Sequence, residues 1–221
     1  WIALNIVSPR GRDMKHTLIL MPLAISMVLF GCTNPINMYT AQKYFDAGAA
    51  AERAGNYQLA HENYHRAYIN TEIGHADDQR KALAMYNLAR MKGYLCMKAE
   101  AEPLLLNSVA VEEKAHSQNV SWYTGRLAET ARFYLGFGEY AKAVPYFEKA
   151  TLRLVDSGNE QTIPIEMAEL WDDYAETLRQ TGSESKANEV ANRARSLRNS
   201  NAGKTARFVP FPYGKNCKAG G

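Results

Sequence analysis

Residues 61–65 read HENYH and match the H-E-x-x-H pattern of zinc metalloproteases. Two histidines four residues apart lie on one face of a helix, where they can bind a metal ion while the glutamate between them acts as general base. His61 and His65 are therefore candidate zinc ligands, and a zinc peptidase is one hypothesis for this chain.

A zinc site needs a third ligand, and the sequence does not place one in register. In the extended form of the motif a glycine and a histidine would follow, but Tyr68 and Thr71 stand at those positions. Glu100 could only come from another helix, and no motif accompanies it. The two histidines are thus weak metal candidates, and no catalytic residue, metal or cofactor is expected.

Neither a G-x-S-x-G elbow nor a phosphate-binding glycine loop is present in the sequence. Paired glycosidase-type carboxylates remain open, since their geometry cannot be derived from one sequence.

Four segments share one pattern. A small residue stands at position i, a bulkier or apolar residue at i+4, and another small residue at i+7. These positions lie on one helix face, and recurrence at a fixed spacing indicates a repeat array. A small residue twelve positions upstream predicts a preceding helix each time, with glycine-containing turns between the helices. The triplets are Ala60/Tyr64/Ala67, Ala101/Leu105/Ser108, Ala143/Phe147/Ala150 and Ala187/Ala191/Ala194; the upstream residues are Gly48, Ala89, Ala131 and Ala175; the turns contain Gly55, Gly138 and Gly182.

This combination resembles the tetratricopeptide repeat (TPR), which has small residues where helices cross and an aromatic residue late in the second helix. The second repeat is similar to the longer type of kinesin light chains. The key alanines are 41, 42 and 44 residues apart, compared with ~34 in ordinary repeats. Longer helices or longer connections are therefore expected. The residues that carry the resemblance are Tyr44, Gly48, Tyr57, Ala60, Tyr64 and Ala67 in the first repeat, Leu127, Ala131, Tyr134, Gly138, Tyr140, Ala143, Phe147 and Ala150 in the third, and Trp171, Ala175, Gly182, Ala187 and Ala194 in the fourth.

The resemblance implies an all-α fold, a right-handed superhelical array of about four long TPR-like pairs with eight helices. The expected array covers residues 40–199 and follows a linker at 32–39. Residues 200–221, rich in glycine, proline and basic residues, are expected to form a flexible C-terminal tail. The repeats are expected at about 40–74, 81–115, 123–157 and 167–199.

Such an array has a concave groove lined by the first helix of each pair, which holds an extended peptide or a partner's helix. Tyr86, Arg90, Tyr94 and Arg132 would offer aromatic surface and guanidinium donors there. Asn87 is similar in place to the asparagine that holds a ligand's main chain in related arrays. A solvated or helix-packing role is the alternative for each of them. Further groove candidates are Gln42, Phe45, Ala49, Leu83, Leu135, Glu169, Asp172 and Glu176, with Asp46, Glu129 and Asp173 at the place of Asn87.

The same register explains the two histidines without a metal ion. Ala60 and Tyr64 are packing positions one helical turn apart. His61 and His65 each follow one of them, which places both on the rim or the convex side of their helix.

Residues 14–31 have the order of a signal peptide, with a short basic lead, an apolar stretch of roughly 14 residues and a small residue at the end. The stretch is shorter than the ~20 residues of a spanning helix. Its ending, LFGC, resembles the lipobox of bacterial lipoproteins, which implies a lipid on Cys32 and membrane anchoring without a spanning segment. Thr33 is compatible with the outer membrane, facing the periplasm. Cleaved export or an uncleaved anchor is the alternative, and residues 1–13 are interpreted as an over-extended reading frame.

The charge of the chain bears on nucleic-acid binding, and its cysteines bear on disulfide formation. Removing residues 1–31 takes away three cationic side chains and one anionic one, which lowers the formal charge from +3 to +1. No dense basic run with interleaved aromatics remains, so nucleic-acid binding is not expected. An oxidising compartment would allow Cys96 and Cys217 to pair, but the weak structural signals of the tail favour two unpaired thiols.

The sequence thus favours a lipid-anchored periplasmic TPR scaffold that binds a protein or peptide partner. Its role would be to assemble or position cell-envelope machinery, as a pilotin-like protein or an adaptor for peptidoglycan enzymes. Besides the zinc peptidase, the alternative is a self-associating array, in which the tail segment FVPFPYG or a second copy in a homodimer fills the groove.

Overall fold

The computed structural model describes residues 33–114, 120–207, 209–215 and 217. The predicted reading-frame extension, the signal peptide and Cys32 lie outside the described residues. Within these ranges the secondary structure is entirely helical, and no helix there is both long and apolar enough to cross a membrane. The helices are α1 (Pro35–Arg53), α2 (Tyr57–Ile73), α3 (Asp78–Tyr94), α4 (Lys98–Lys114), α5 (Val120–Gly136), α6 (Tyr140–Asp156), α7 (Asn159–Thr162), α8 (Pro164–Gln180) and α9 (Glu184–Ser200).

The long helices form four antiparallel pairs, α1/α2, α3/α4, α5/α6 and α8/α9, each packed on the next. This confirms the predicted all-α array of TPR-like helix pairs. Most of the long helices contain 17 residues. Because two such helices already match the ~34 residues of an ordinary repeat, the longer repeat spacing comes from longer helices.

The first helix begins inside the segment expected to be a linker at 32–39. Asn34 is its N-cap, with the side-chain oxygen accepting from the backbone amides of Ile36 and Asn37, and Pro35 is the first helical residue. An asparagine cap followed by proline is a strong helix start, so α1 extends five residues further than the predicted boundary.

The predicted small-residue register forms the core. Ala60, Ala101, Ala143 and Ala187 have no exposed surface, and each lies where the two helices of a pair cross. Gly48 shows why small residues are needed there, since a Cβ at this position would lie 2.8 Å from the ring of Tyr64. Close approach of the helix backbones therefore depends on these positions.

The turns within the pairs share one backbone geometry. Gly55, Gly138 and Gly182 have φ of +73°, +72° and +78°, and Cys96 occupies the equivalent turn of the second pair with φ of +66°. A side chain with a Cβ is disfavoured in this left-handed region, whereas glycine is not. The second pair therefore carries a cysteine where the other pairs carry a glycine.

The short helix α7 was not among the eight helices predicted. It lies in the connection that was expected to be a loop. Its Glu160 accepts hydrogen bonds from Arg193 at 2.6 and 2.9 Å and from the indole of Trp171 at 3.1 Å. These contacts attach the connection to the last helix pair.

Candidate functional site

The first helices of the pairs line a concave groove, as the repeat register predicts. At the amino-terminal ends of α1, α3 and α5 the groove is open and forms a cavity of about 440 Å³. Its lining is mainly apolar and includes Met38, Phe45, Leu83 and Trp122. Trp122 is 44% exposed, which is high for a large aromatic side chain on a folded surface.

The central part of the groove is crossed by the chain's own C-terminal segment. Arg207 fixes the beginning of this segment, because its backbone amide and its Nε donate to the Glu166 carboxylate at 2.9 and 3.2 Å. Residues 209–213, which we call the strap, then lie across the groove, and Cys217 ends the crossing at the α3–α4 turn. The expectation of a flexible tail at 200–221 therefore does not describe this part of the chain, because the strap buries aromatic side chains in the array.

Phe211 of the strap lies in an aromatic niche formed by α2 and α3. Its ring centroid is 5.4 Å from that of Tyr57 and 5.8 Å from that of Tyr94, both in edge-on geometry. The guanidinium of Arg90 lies 4.4 Å from the Phe211 ring centroid. Stacked cation and edge-on aromatic contacts both favour an aromatic side chain at this point.

Tyr213 is the most deeply placed strap residue, with 3% of its surface exposed. It lies against Phe133, with ring centroids 5.6 Å apart, and against two helical glycines: a Cβ at Gly93 would lie 2.9 Å from its ring, and one at Gly136 would lie 2.6 Å from its Cβ. Its hydroxyl donates to the carboxylate of Glu129. Burial and the charge of Glu129 raise the pKa of Tyr213, so the hydroxyl stays a donor.

Arg90 links the strap to the first helix pair. Its Nη2 lies 2.6 Å from the Glu52 carboxylate and its Nε 3.8 Å from that of Glu129. Asn87, predicted to hold a partner's main chain, is buried: its amide nitrogen donates to the Leu83 carbonyl at 2.9 Å and its oxygen accepts from Arg90 at 3.3 Å. Asn87 thus orients Arg90.

The remaining predicted central residue, Arg132, lines a cavity together with residues of the strap. It donates to Asp173 at 2.7 Å, and burial raises the pKa of that carboxyl against the opposing charge of Arg132. Arg132 lies on α5 and Asp173 on α8. A cavity of about 510 Å³ beside them is lined by Arg132, Glu166, Leu170 and Phe211 among others. Tyr86, Arg90 and Arg132 line this one cavity together with Phe211 of the strap, and Tyr94 contacts the same phenylalanine ring.

Cys96 and Cys217 form a disulfide, with Cα atoms 5.4 Å apart. The prediction that both thiols are unpaired is wrong, because the strap carries Cys217 back to the turn that contains Cys96. Their separation of 121 positions in the sequence hides this proximity from any local pattern.

Within the part of the chain that the structure describes, the zinc candidates are not grouped with a third ligand. The rings of His61 and His65 are nearly parallel, with centroids 6.2 Å apart, and Glu100 is held by Lys92 at 2.5 Å. Among the described residues no cluster of three or more His, Cys, Asp or Glu side chains could hold a metal ion. Ala60 and Tyr64, the packing positions that the two histidines follow, are buried.

Several groove residues escaped the sequence reasoning. Glu52 lies near the end of α1 and was not singled out, and Gly93 and Gly136 could not be distinguished from ordinary helix-end glycines. Phe211 and Tyr213 were anticipated, since the self-association alternative placed the segment FVPFPYG in the groove, and the structure places both side chains there.

Comparison with known proteins supports the fold. No protein-family model matches the sequence, and no curated protein is significantly similar to it. Solved structures do match. BtubC (BKLC) from P. vanneervenii superposes with a TM-score of 0.67 at 16% identity, over 76% of this chain and 67% of that one.

Two further structures have the same architecture. A putative kinesin light chain of P. anserina with nearly identical TPR-like repeats gives a TM-score of 0.60 at 18% identity, over 73% of this chain and 76% of that one. MamA gives 0.55 at 16% identity, over 74% and 81% respectively. At these identities the likeness establishes a TPR-like solenoid fold.

Proposed function

We propose that this TPR-like array is a protein-binding scaffold whose concave groove accepts an extended segment of a partner. The observation that carries the proposal is the strap itself. A non-helical piece of chain already lies across the first helices, with aromatic side chains in shaped niches and a hydroxyl on a partly buried carboxylate. A groove that binds one such segment has the geometry for extended-peptide recognition.

The open cavity at the amino-terminal ends of α1, α3 and α5 provides room for further contacts. Its apolar lining and its half-exposed Trp122 have the character of an interaction hot spot, where an aromatic anchor is surrounded by apolar surface. No catalytic role is assigned to these residues. The proposed partner therefore lies along the first helices beside the strap.

The scaffold is proposed to be attached to the bacterial outer membrane by a lipid on Cys32 and to face the periplasm, where it assembles or positions envelope machinery. The lipobox-like LFGC sequence supports attachment, and the disulfide is consistent with an oxidising compartment. A short connection to α1 would hold the groove near the membrane surface.

Site-specific photo-crosslinking in the source cell tests the scaffold. A benzophenone amino acid at Leu83 or Trp122, in the open cavity, is expected to cross-link the same partner protein. The control position is Leu152, which is 63% exposed on α6, a second helix. Equal cross-linking from Leu152, or different products from the two groove positions, would contradict a groove-directed scaffold.

Cell fractionation tests the anchor separately. Full-length protein is expected in the membrane fraction and to incorporate an alkyne-labelled fatty acid, whereas Cys32→Ser should lose the label and leave that fraction. Unlabelled wild-type protein would refute lipidation without affecting the groove.

A further inference from the structure

We propose that the niche under the strap binds a defined class of partner: an extended segment with a proline-flanked phenylalanine followed two residues later by a tyrosine. The strap is then the chain's own competitor for that site. This inference rests on the proposed scaffold function and names its ligand chemistry. The niche, which we call the strap niche, consists of Tyr57, Arg90, Gly93, Tyr94, Glu129, Phe133 and Gly136.

The first position of the ligand must be aromatic. Edge-on contacts from Tyr57 and Tyr94 and the Arg90 guanidinium at 4.4 Å surround the Phe211 ring. An aliphatic side chain would lose the cation–π and edge contacts, although it could still be buried.

The second position must be a tyrosine. Gly93 and Gly136 leave room for a ring at the helix surfaces, and Glu129 accepts a hydrogen bond from the hydroxyl of Tyr213. Phenylalanine would fill the same space but leave the partly buried Glu129 carboxylate without this donor. A site that hydrogen-bonds a ligand hydroxyl discriminates strongly against a ligand that lacks it.

The backbone of the strap suits a helix-lined groove, which offers few free acceptors. Pro210 and Pro212 have no amide hydrogen to satisfy, and the amide of Tyr213 donates to the Phe211 carbonyl at 3.0 Å. A partner segment with the same prolines would enter the groove with little ordering cost.

The strap is held at both ends, by α9 and by the disulfide. Such tethering gives it an effective concentration in the millimolar range, so that a partner in solution competes at a disadvantage. Weakening the strap while leaving the niche intact should therefore raise affinity for a ligand added in trans.

The test uses the full chain and a fluorescein-labelled peptide with the sequence of residues 205–215, measured by anisotropy. Phe211→Ala/Tyr213→Ala, which keeps the disulfide and the niche, is expected to bind the peptide about tenfold more tightly than wild type. Cys217→Ser, which releases one tether, should also bind it more tightly. Circular dichroism of each variant serves as the check that it is folded.

Two controls define the site. Gly136→Ala releases the strap but fills the niche, so it should not bind the peptide. A peptide with phenylalanine in place of tyrosine should bind the strap-disabled chain roughly tenfold more weakly.

Absent binding to both weakened-strap variants, or equal affinity for the two peptides, would overturn the proposed ligand class. A concentration-dependent dimer of Cys217→Ser that excludes the peptide would assign the niche to a second copy and also overturn it. In either case, cross-links retained at Leu83 and Trp122 would leave the scaffold function standing.

Discussion

The guanidinium of Arg90 lies 2.6 Å from the carboxylate of Glu52, which joins the middle of the groove to the end of the first helix. The two side chains are only 15% and 18% exposed, so water screens their attraction little. The same guanidinium stacks on Phe211, and one residue thus connects α1, α3 and the strap.

Replacing Arg90 with methionine keeps the aliphatic stem but removes the cation beside Phe211 and the cationic partner of Glu52, which then keeps the hydrogen bond from the Tyr64 hydroxyl at 2.8 Å. We expect the free energy of unfolding to fall by about 2 kcal/mol, measured by urea denaturation. Arg80→Met is the control, since the Arg80–Asp77 pair is largely exposed and should contribute under about 1 kcal/mol. Equal effects of the two variants would show that the groove charge pair has no special role.

Gly136→Ala should displace the strap, because the new Cβ would lie 2.6 Å from Tyr213 Cβ and 2.7 Å from its carbonyl oxygen. Trypsin cleavage after Arg207 and Lys215 is expected to become several times faster. Gly125→Ala on the same helix is the matched control, since nothing lies within 4 Å of the added Cβ. That variant should keep the wild-type cleavage rate and gain roughly 0.5–1 kcal/mol of stability; faster cleavage there would contradict the steric explanation.

Removing the disulfide by substituting Cys217 should lower the stability more than removing it by substituting Cys96. Cys217→Ser removes only the cross-link, and for so long a loop we expect stability to fall by about 3 kcal/mol. Cys96→Gly removes the same cross-link but also relieves the left-handed backbone of Cys96, so it should be about 1 kcal/mol more stable than Cys217→Ser. Thermal or urea denaturation of both variants beside the reduced wild type measures the difference, and the reverse order would show that the turn is not strained.

His61 gives the protein a predictable response to acid. Burial lowers its pKa, and the charges of Lys92 on α3 and of His65 on its own helix lower it further, against the opposing effects of Glu100 and Glu62. The folded state therefore binds the proton less readily than the unfolded chain, whose histidine pKa is about 6.5. Stability should fall as the pH drops below about 6.5.

His61→Gln should remove this dependence, so that the variant loses less stability than wild type between pH 7 and pH 5. His65→Gln, at an exposed position on the same helix, should keep most of the wild-type slope. Urea denaturation at the two pH values measures both. Parallel slopes for wild type and His61→Gln would show that other groups govern acid sensitivity.

The sequence predicted the helix pairs well because their determinants are local and periodic. Ala60, Ala101, Ala143 and Ala187 repeat at nearly constant spacing, and each is fully buried. The period also contained information on charges that was not used. Arg132 pairs with Asp173 at a separation of 41 residues, Lys142 with Glu102 at 40 and Lys186 with Glu148 at 38. Residues one repeat apart are neighbours in such an array, so opposite charges at that spacing predict ion pairs.

The strap could not be predicted in this way, because it belongs to no repeat. The Tyr213 hydroxyl donates to Glu129, which is 84 positions away in the sequence, and nothing in the local composition indicates such a contact. A segment rich in proline and glycine has no regular structure of its own, and its order comes from the niches that the helices form. The aromatic residues were a signal, and they led to the alternative in which FVPFPYG fills the groove, but they did not indicate the contact with Glu129 or the cross-link of Cys217.

The cross-link between Cys96 and Cys217 also changes the mechanics of the array. A solenoid can normally be stretched along its axis, because each unit contacts only its neighbours. Here the disulfide closes a covalent ring that contains α4 to α9 and the strap, and the strap crosses the groove within that ring. Helices α1 to α3 lie outside the ring. Stretching should therefore extend the amino-terminal helices first, and the ringed part should keep its curvature until a sulfur–sulfur bond breaks.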